Sequence, residues 1–257
     1  MPEFFEFVYS QEFLFFVLVG LAAQVIDGTL GMAYGISANT LLISMGITPV
    51  QASASIHIAE VATTGISGIS HYGFGNVDVE LVKKLIIPGI IGAITGTLLL
   101  VWLPMDLIKV GVALYLLFMG LTILLKSRRI KTTKKRHHNV TPLGFWGGLL
   151  DAAGGGGWGT IVASTLVAKG SVPRLAVGTV NLAEFFVALA SSLVFIISLP
   201  MINWRIALGL ALGGAIAAPF AAYFAKNIPA KPFMILIGCA IVLMSAYSVY
   251  QVLVKMF

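Results

Sequence analysis

DAAGGGGWG at residues 151–159 and DGTLGMAYG at residues 27–35 stand 124 positions apart in a chain of 257 residues, and their reading decides the architecture. Four consecutive glycines are poor helix material, each about 1 kcal/mol worse than alanine in a helix interior, so a helix entering 154–157 is expected to break. What surrounds the two stretches is apolar. The chain is 58% hydrophobic and 10% charged, with a mean hydropathy of +0.99. An ordinary soluble domain, in which about 25% of residues are charged, is thereby excluded. The lone Cys239 also excludes a disulfide framework, iron–sulfur ligation and a thiolate zinc site.

Working outward, apolar segments long enough for a bilayer core of about 30 Å recur along the whole chain. They run over 12–45, 50–72, 81–102, 105–125, 143–169, 173–199, 204–225 and 230–254. Pro49, Pro104, Pro142, Pro173, Pro200 and Pro229 punctuate their boundaries, at first helical turns or in loops. The fold class is therefore an all-α polytopic membrane protein with the lipid bilayer as its main partner. The N-terminal MPEFFEFVYSQEF carries Glu3, Glu6 and Glu12 but no Lys or Arg. It lacks the basic region of a cleavable signal peptide, so the first segment is expected to stay in the mature chain.

The sixteen Lys and Arg exceed the ten Asp and Glu by six. Seven of the cations crowd together as Lys126, Arg128, Arg129, Lys131, Lys134, Lys135 and Arg136, and without them the balance is nine to ten. The excess is thus a topology signal and not a nucleic-acid surface: by the positive-inside rule 126–139 lies in the cytoplasm, with anionic lipid or a partner protein as a possible further contact. The sequon Asn139-Val140-Thr141 lies on the same side and is expected to stay unglycosylated. Three units follow: a first transmembrane repeat over 1–125, a basic cytoplasmic linker over 126–142 and a second repeat over 143–257.

The repeat is read from the chain slid against itself. Over 27–67 the alignment needs no gap, and it matches Asp27 with Asp151, Gly31 with Gly155, Gly35 with Gly159 and Gly46 with Gly170. It also pairs Pro49 with Pro173, Ala59 with Ala183 and Glu60 with Glu184. Apolar matches are cheap in this composition. The acidic ones are not, since four of only ten acids form two aligned pairs. Each repeat then has about four transmembrane segments, the first of them broken or re-entrant at its Gly-rich motif. If those segments cross once, the repeats are parallel; if they dip in and return, the repeats invert. The acid-only N-terminus favours an outside location and so inversion.

Broken helices at matching positions of two repeats point to a transporter's binding site, because freed backbone groups survive in lipid only beside protein or water. A half-helix N-terminus offers unpaired N–H groups and about half a positive charge, so the expected ligand is a small anion. The candidate binding residues are Asp27, Thr29, Gly31, Tyr34 and Gly35 in the first break and Asp151, Gly154, Gly155, Gly156, Gly157 and Trp158 in the second, with the aligned Ser55 and Thr179. Asp27 and Asp151, placed just before the breaks, are expected to cap the half-helices that follow. Of the nearby cations, Lys169 and Arg174 flank a short turn and suit a pore mouth better than a midplane site.

Glu60 and Glu184 fall near mid-membrane, where an ionised carboxylate costs several kcal/mol and an acid is a functional candidate by default. His57 and Asn181, three positions earlier, share their helix faces. Glu60, Glu184, His57 and Asn181 thus form a candidate proton-coupling set, the alternative being that the acids bond to broken backbone and hold the site together. Isolated Gly20, Gly92 and Gly96 are read as close-packing positions. Ser67 followed by His71 looks like an intramembrane serine protease motif, but the aligned Ser191 has no such histidine. His57-x-x-Glu60 could ligate a metal, yet Asn181-x-x-Glu184 would do so poorly. No phosphate-loop Lys follows the glycines, and His137 and His138 belong to the solvated basic run. Neither cofactor nor metal nor enzymatic activity is expected.

GGLLDAAGGGGWGTIVASTLVAKGSVPRLAVGTVNLAEF at 147–185, with its more diverged counterpart at 24–60, resembles the sulfite exporter TauE/SafE family over essentially the whole chain. The diverged copy reads Ala54-Ser55 where the second half has Gly178-Thr179. The resemblance implies secondary transport of small sulfur-containing anions, such as sulfite, sulfoacetate or related organosulfonates, across the bacterial cytoplasmic membrane. A cation or metal-ion transporter or channel using the four acids is the alternative.

Overall fold

The computed structural model describes residues 11–126, 139–169 and 171–225, with scattered helical positions between 235 and 254. Most of the basic linker, at 127–138, Gly170 and most of the last apolar segment lie outside the described residues. Within them the protein is all-helical. The helices are α1 (Gln11–Leu30), α2 (Tyr34–Ser44), α3 (Pro49–Gly73), α4 (Val79–Trp102), α5 (Met105–Lys126), α6 (Thr141–Gly154), α7 (Trp158–Ala168), α8 (Pro173–Ser198) and α9 (Trp204–Phe224). α1, α4, α8 and α9 are long and apolar enough to cross a membrane. The segments read as 12–45 and 143–169 each split into a long and a short helix at the glycine motif.

Local chemistry sets the boundaries. Pro49 and Pro173 open α3 and α8, where a missing N–H costs nothing. Asp78 Oδ1 accepts the Leu81 N–H at 3.1 Å to cap α4, and Asn203 Oδ1 accepts that of Ile206 at 3.3 Å to cap α9. The polarity is reversed relative to a soluble bundle: Ile197 is 83% exposed and Ile69 72%, whereas Asp151 is fully buried and Glu60 is 1% exposed. Large apolar side chains face outward to lipid and the acids face in.

α1 and α9 lie side by side and point the same way, with Gly20 against the Leu210 carbonyl and Gly28 against Ala221. α6 and α4 do likewise, Gly144 meeting the Leu85 carbonyl and Gly96 that of Leu149. α3 packs on α8 at the centre, and each of these also packs on one of α9 and α4. Gly20, Gly92, Gly96, Gly148 and Gly213 all sit where a Cβ would run into the backbone of the neighbouring helix. Small residues permit this closeness, which supplies the dispersion contacts that hold helices together in lipid.

These contacts fix the direction of the chain. The start of α1 (Gln11, Glu12), the 45–48 turn after α2 and the start of α9 line one cleft, and Arg205 donates to Glu12 Oε2 there at 2.9 Å. α1 therefore descends from this end and α2 returns to it. At the opposite end Arg174 donates to Asn76 Oδ1 at 3.2 Å and the Thr179 hydroxyl accepts the Asp78 N–H at 2.9 Å. α4, α6 and α8 all start at that end, and α7 comes back to it ahead of α8. Both broken segments are thus re-entrant, from opposite ends.

Replacing Gly213 by leucine forces a side chain into the Val17 carbonyl and is expected to destabilise the α1–α9 pair by about 1–3 kcal/mol. Gly111→Ala, at a position with open space around it, is the control. Thermal unfolding in detergent is expected to separate the two by several degrees.

Candidate functional site

The re-entrant tips meet in the middle of the bundle. Gly31 and Ala33 take φ of 67° and 81° in the first break, and Gly155, Gly156 and Gly157 take 72°, 130° and 141° in the second. Such values are open to glycine and strained for other residues, so Ala33 stores strain where the second copy has glycine. A Cβ on Gly35 would lie 2.6 Å from the Gly156 Cα and 2.9 Å from Glu60 Oε1. One on Gly159 would strike the Gly31 carbonyl and come within 2.8 Å of the Met32 Cα. Backbone touches backbone at the crossing, and no side chain fits between.

Both aspartates cap the half-helix that follows them. Asp151 Oδ1 accepts the Trp158 N–H at 2.8 Å, and Asp27 accepts that of Tyr34. Each carboxylate therefore lies against the positive end of α7 or α2 and ties the two halves of its broken segment together. Their remaining partners come from the central helices: His57 on α3 reaches Asp151 Oδ2 at 3.2 Å, and the Asn181 amide on α8 hydrogen-bonds Asp27. Glu60 and Glu184 lie near the middle of α3 and α8, buried. The four acids interact with one another through the low-dielectric interior.

Other sequence candidates are spent on architecture. The Tyr34 hydroxyl donates to Leu210 O at 3.2 Å and Trp158 Nε1 to Val180 O at 3.2 Å, anchoring α2 and α7 to long helices. Thr29 turns its hydroxyl back to Val25 O at 2.7 Å. Thr179, on α8 between Val177, which packs on Gly31, and Val180, which accepts from Trp158, spends its hydroxyl on the Asp78 N–H. Ser55 is buried near the start of α3 with its hydroxyl unpartnered. Lys169 and Arg174 are at the linker end. Ser67 donates to Asn181 Oδ1 at 2.7 Å and His71 bonds Gly28 O at 3.0 Å, so the pair serves separate contacts.

Two residues escaped sequence reasoning. Asn39 Nδ2 donates to Gly154 O at 2.7 Å and the Tyr115 hydroxyl to Gly156 O at 3.0 Å. Together they satisfy carbonyls that the second break releases. Asn39 had a signal, an amide within an otherwise apolar run; Tyr115 had none, since its role depends on α5 lying beside the break.

Asp27 Oδ2, Asn39 Oδ1, Glu60 Oε2 and Glu184 Oε2 are buried without a partner. Buried polar atoms in native proteins are almost always paired, so these are the oxygens on which a proton, water or ligand would act. His57, Glu60 and Asp151 offer one atom each within 4.8 Å of one another. His57 and Asp151 are already joined by a hydrogen bond, which makes the group a bonded dyad with a neighbouring carboxyl. None of the four acids lines the open cleft at the Glu12 end.

Gly156→Ala combines a φ of 130° with a Cβ against Gly35, and is expected to lower the unfolding temperature and abolish transport. Gly46→Asn, with a φ of 90° but nothing nearby, retains both. Thermal unfolding and flux in reconstituted vesicles measure the difference.

The fold and its central acids can be set beside known proteins. The chain is 42% identical over 246 residues to the "Probable membrane transporter protein YtnM" of Bacillus subtilis (strain 168), a match covering 92% of this chain and 82% of that protein. No solved structure matches. The profile of the sulfite exporter TauE/SafE family matches residues 16–248, and this multi-pass membrane protein belongs to that family of transporters.

Proposed function

We propose that the protein is a secondary transporter of small sulfur-containing anions, sulfite, sulfoacetate or related organosulfonates, in the bacterial cytoplasmic membrane. The observation that carries this reading is the meeting of two re-entrant tips at mid-bundle, each with a half-helix N-terminus turned inward and unpartnered buried oxygens beside it. The substrate lies beside the crossing of the tips, at a site lined by residues 27–35 and 151–159 and by the helices that carry Glu60 and Glu184. The family's name and the resemblance of 147–185 support the substrate class.

The chain is organised as two repeats, 1–125 and 143–257, inverted relative to each other and joined by a cytoplasmic linker at 126–142. Exchange of helix partners supports this: α1 on α9 has its counterpart in α6 on α4, and the central α3–α8 pair maps onto itself. The orientation is supported by charge. Among cations with described side chains, Lys83, Lys84, Lys169 and Arg174 lie at the linker end and Arg205 at the other, the bias expected of a cytoplasmic face.

Four buried carboxyls repel an anion unless protons neutralise them. No Lys or Arg among the described residues reaches the breaks. Glu60 and Glu184, with His57 and Asn181, therefore couple anion passage to protonation, and export of one negative charge gains about 2.3 kcal/mol per 100 mV of interior-negative potential. The same surplus of acids favours the second reading, a cation carrier.

In proteoliposomes, sulfite or sulfoacetate flux that is insensitive to divalent cations is the expected result. Cation flux abolished by Glu60→Gln with Glu184→Gln would replace the proposal with the cation carrier. For topology, Met201→Cys and Val79→Cys are introduced singly with Cys239→Ser. A membrane-impermeant maleimide on intact cells is expected to label position 201 and not 79; labelling of both or of neither overturns the inverted arrangement.

A further inference from the structure

The two caps differ: Asp151 has a partner on each oxygen, Trp158 N–H on Oδ1 and His57 on Oδ2, whereas Asp27 Oδ2 has none. His57 Nδ1 lies 2.8 Å from the Ser53 carbonyl oxygen, which can only accept, so Nδ1 carries a hydrogen. The Ser53 hydroxyl lies 3.3 Å from the same nitrogen but donates its own hydrogen to Ala152 O at 3.1 Å. Nε2 is left facing Asp151 Oδ2 at 3.2 Å. A neutral imidazole and an ionised carboxylate would there present lone pair to lone pair. The contact holds only with one proton between them, either as imidazolium with carboxylate or as imidazole with carboxylic acid.

The other cap needs no such proton. Asn181 accepts the Ser67 hydroxyl on Oδ1 and donates one N–H to Val177 O at 3.2 Å. The Asn181 side chain is also the hydrogen-bonding neighbour of Asp27. Amide hydrogens are permanent at any physiological pH, so Asp27 is held by a donor that does not titrate. Asp151 is held by one that does.

We infer that the exchangeable proton of this transporter resides between His57 Nε2 and Asp151 Oδ2, one per chain, with the Asn181–Asp27 pair as its fixed counterpart. Glu60, with its Oε2 buried and unpartnered and one carboxylate oxygen within 4.8 Å of the dyad, is the acceptor. When the proton passes, the bond to the dyad breaks, an O–H forms on Glu60, and the charge of the cluster is unchanged. When it leaves to water the cluster becomes one unit more negative and the Asp151 link to α3 is lost. The second break is then tethered through Trp158, Asn39, Tyr115 and the Ser53 bond to Ala152 O, while the first keeps its amide link. The other groups facing the dyad are Glu60 on α3, Asp27 on α1, Glu184 on α8, Tyr34 on α2 and Tyr115 on α5. α6 contributes only Asp151. The titratable groups of α9, Arg205 and Tyr223, lie at its two ends.

This inference rests on the proton-coupled reading of the site, selects His57 from its four candidates and adds Asp151, and has a test that needs no substrate. The purified full-length protein, labelled with 15N-histidine, is titrated by NMR, and His57→Asn assigns the signal. The expected wild-type signal keeps Nδ1 protonated throughout while Nε2 changes with pH. Asp151→Asn removes that change, leaving a neutral ring at every pH. In proteoliposomes His57→Asn, which recreates the amide of the other half, is expected to fold with wild-type thermal stability and to flatten the pH dependence of sulfite flux. A ring with Nδ1 bare, a titration indifferent to Asp151→Asn, or a signal moved by Na⁺ or Zn²⁺ at constant pH overturns the inference. A titrating His57 without sulfite flux overturns only the substrate reading. Sulfite flux with a static His57 overturns only this one.

Discussion

Contact between two stretches of bare backbone governs this molecule. Where Gly35 meets Gly156 and Gly159 meets Gly31, the re-entrant tips approach more closely than any side chain permits, and the strain at Ala33 shows the limit of what a Cβ can tolerate nearby. Such an encounter leaves backbone groups unsatisfied in a region where water is scarce. The rest of the centre answers that need: aspartates take the N–H groups of the two short helices, and Asn39 and Tyr115 take the carbonyls.

That arrangement makes the site electrostatically unusual. Helix N-termini attract negative charge, and in this protein the first negative charges they meet are their own caps. In the proposed function, a permeating anion competes with Asp27 and Asp151 and passes Glu60 and Glu184, which would tie its binding to the protonation of the cluster. Close glycine packing along α1–α9 and α4–α6 holds the helices that carry the tips, so the breaks and their scaffold depend on the same residue type for different reasons. In the scaffold glycine removes bulk; in the breaks it also permits positive φ.

The two halves are unequal where it matters. His57 and Asn181 occupy aligned positions and perform aligned tasks, yet one side chain can give up its proton and the other cannot. In the proposed arrangement, a single protonation event at His57 would act on one tip while the other stays tethered.

Much of this was legible in the sequence. The glycine runs required helix breaks on conformational grounds, the apolar segments required a membrane, and the rarity of acids singled out Asp27, Asp151, Glu60 and Glu184 before any fold was known. Capping by the two aspartates followed from their position alone, a local matter of i to i+7 spacing. What only the tertiary structure decided was non-local. The re-entrant course of α1–α2 and α6–α7 depends on which helices pack together, since the same pattern is compatible with a single crossing. Tyr34, Trp158 and Thr179 became anchors, and Asn39 and Tyr115 gained their roles, because distant helices brought carbonyls and N–H groups within reach. The pairing of His57 with Asp151 likewise joins residues far apart in the chain, and no periodicity along either segment records it.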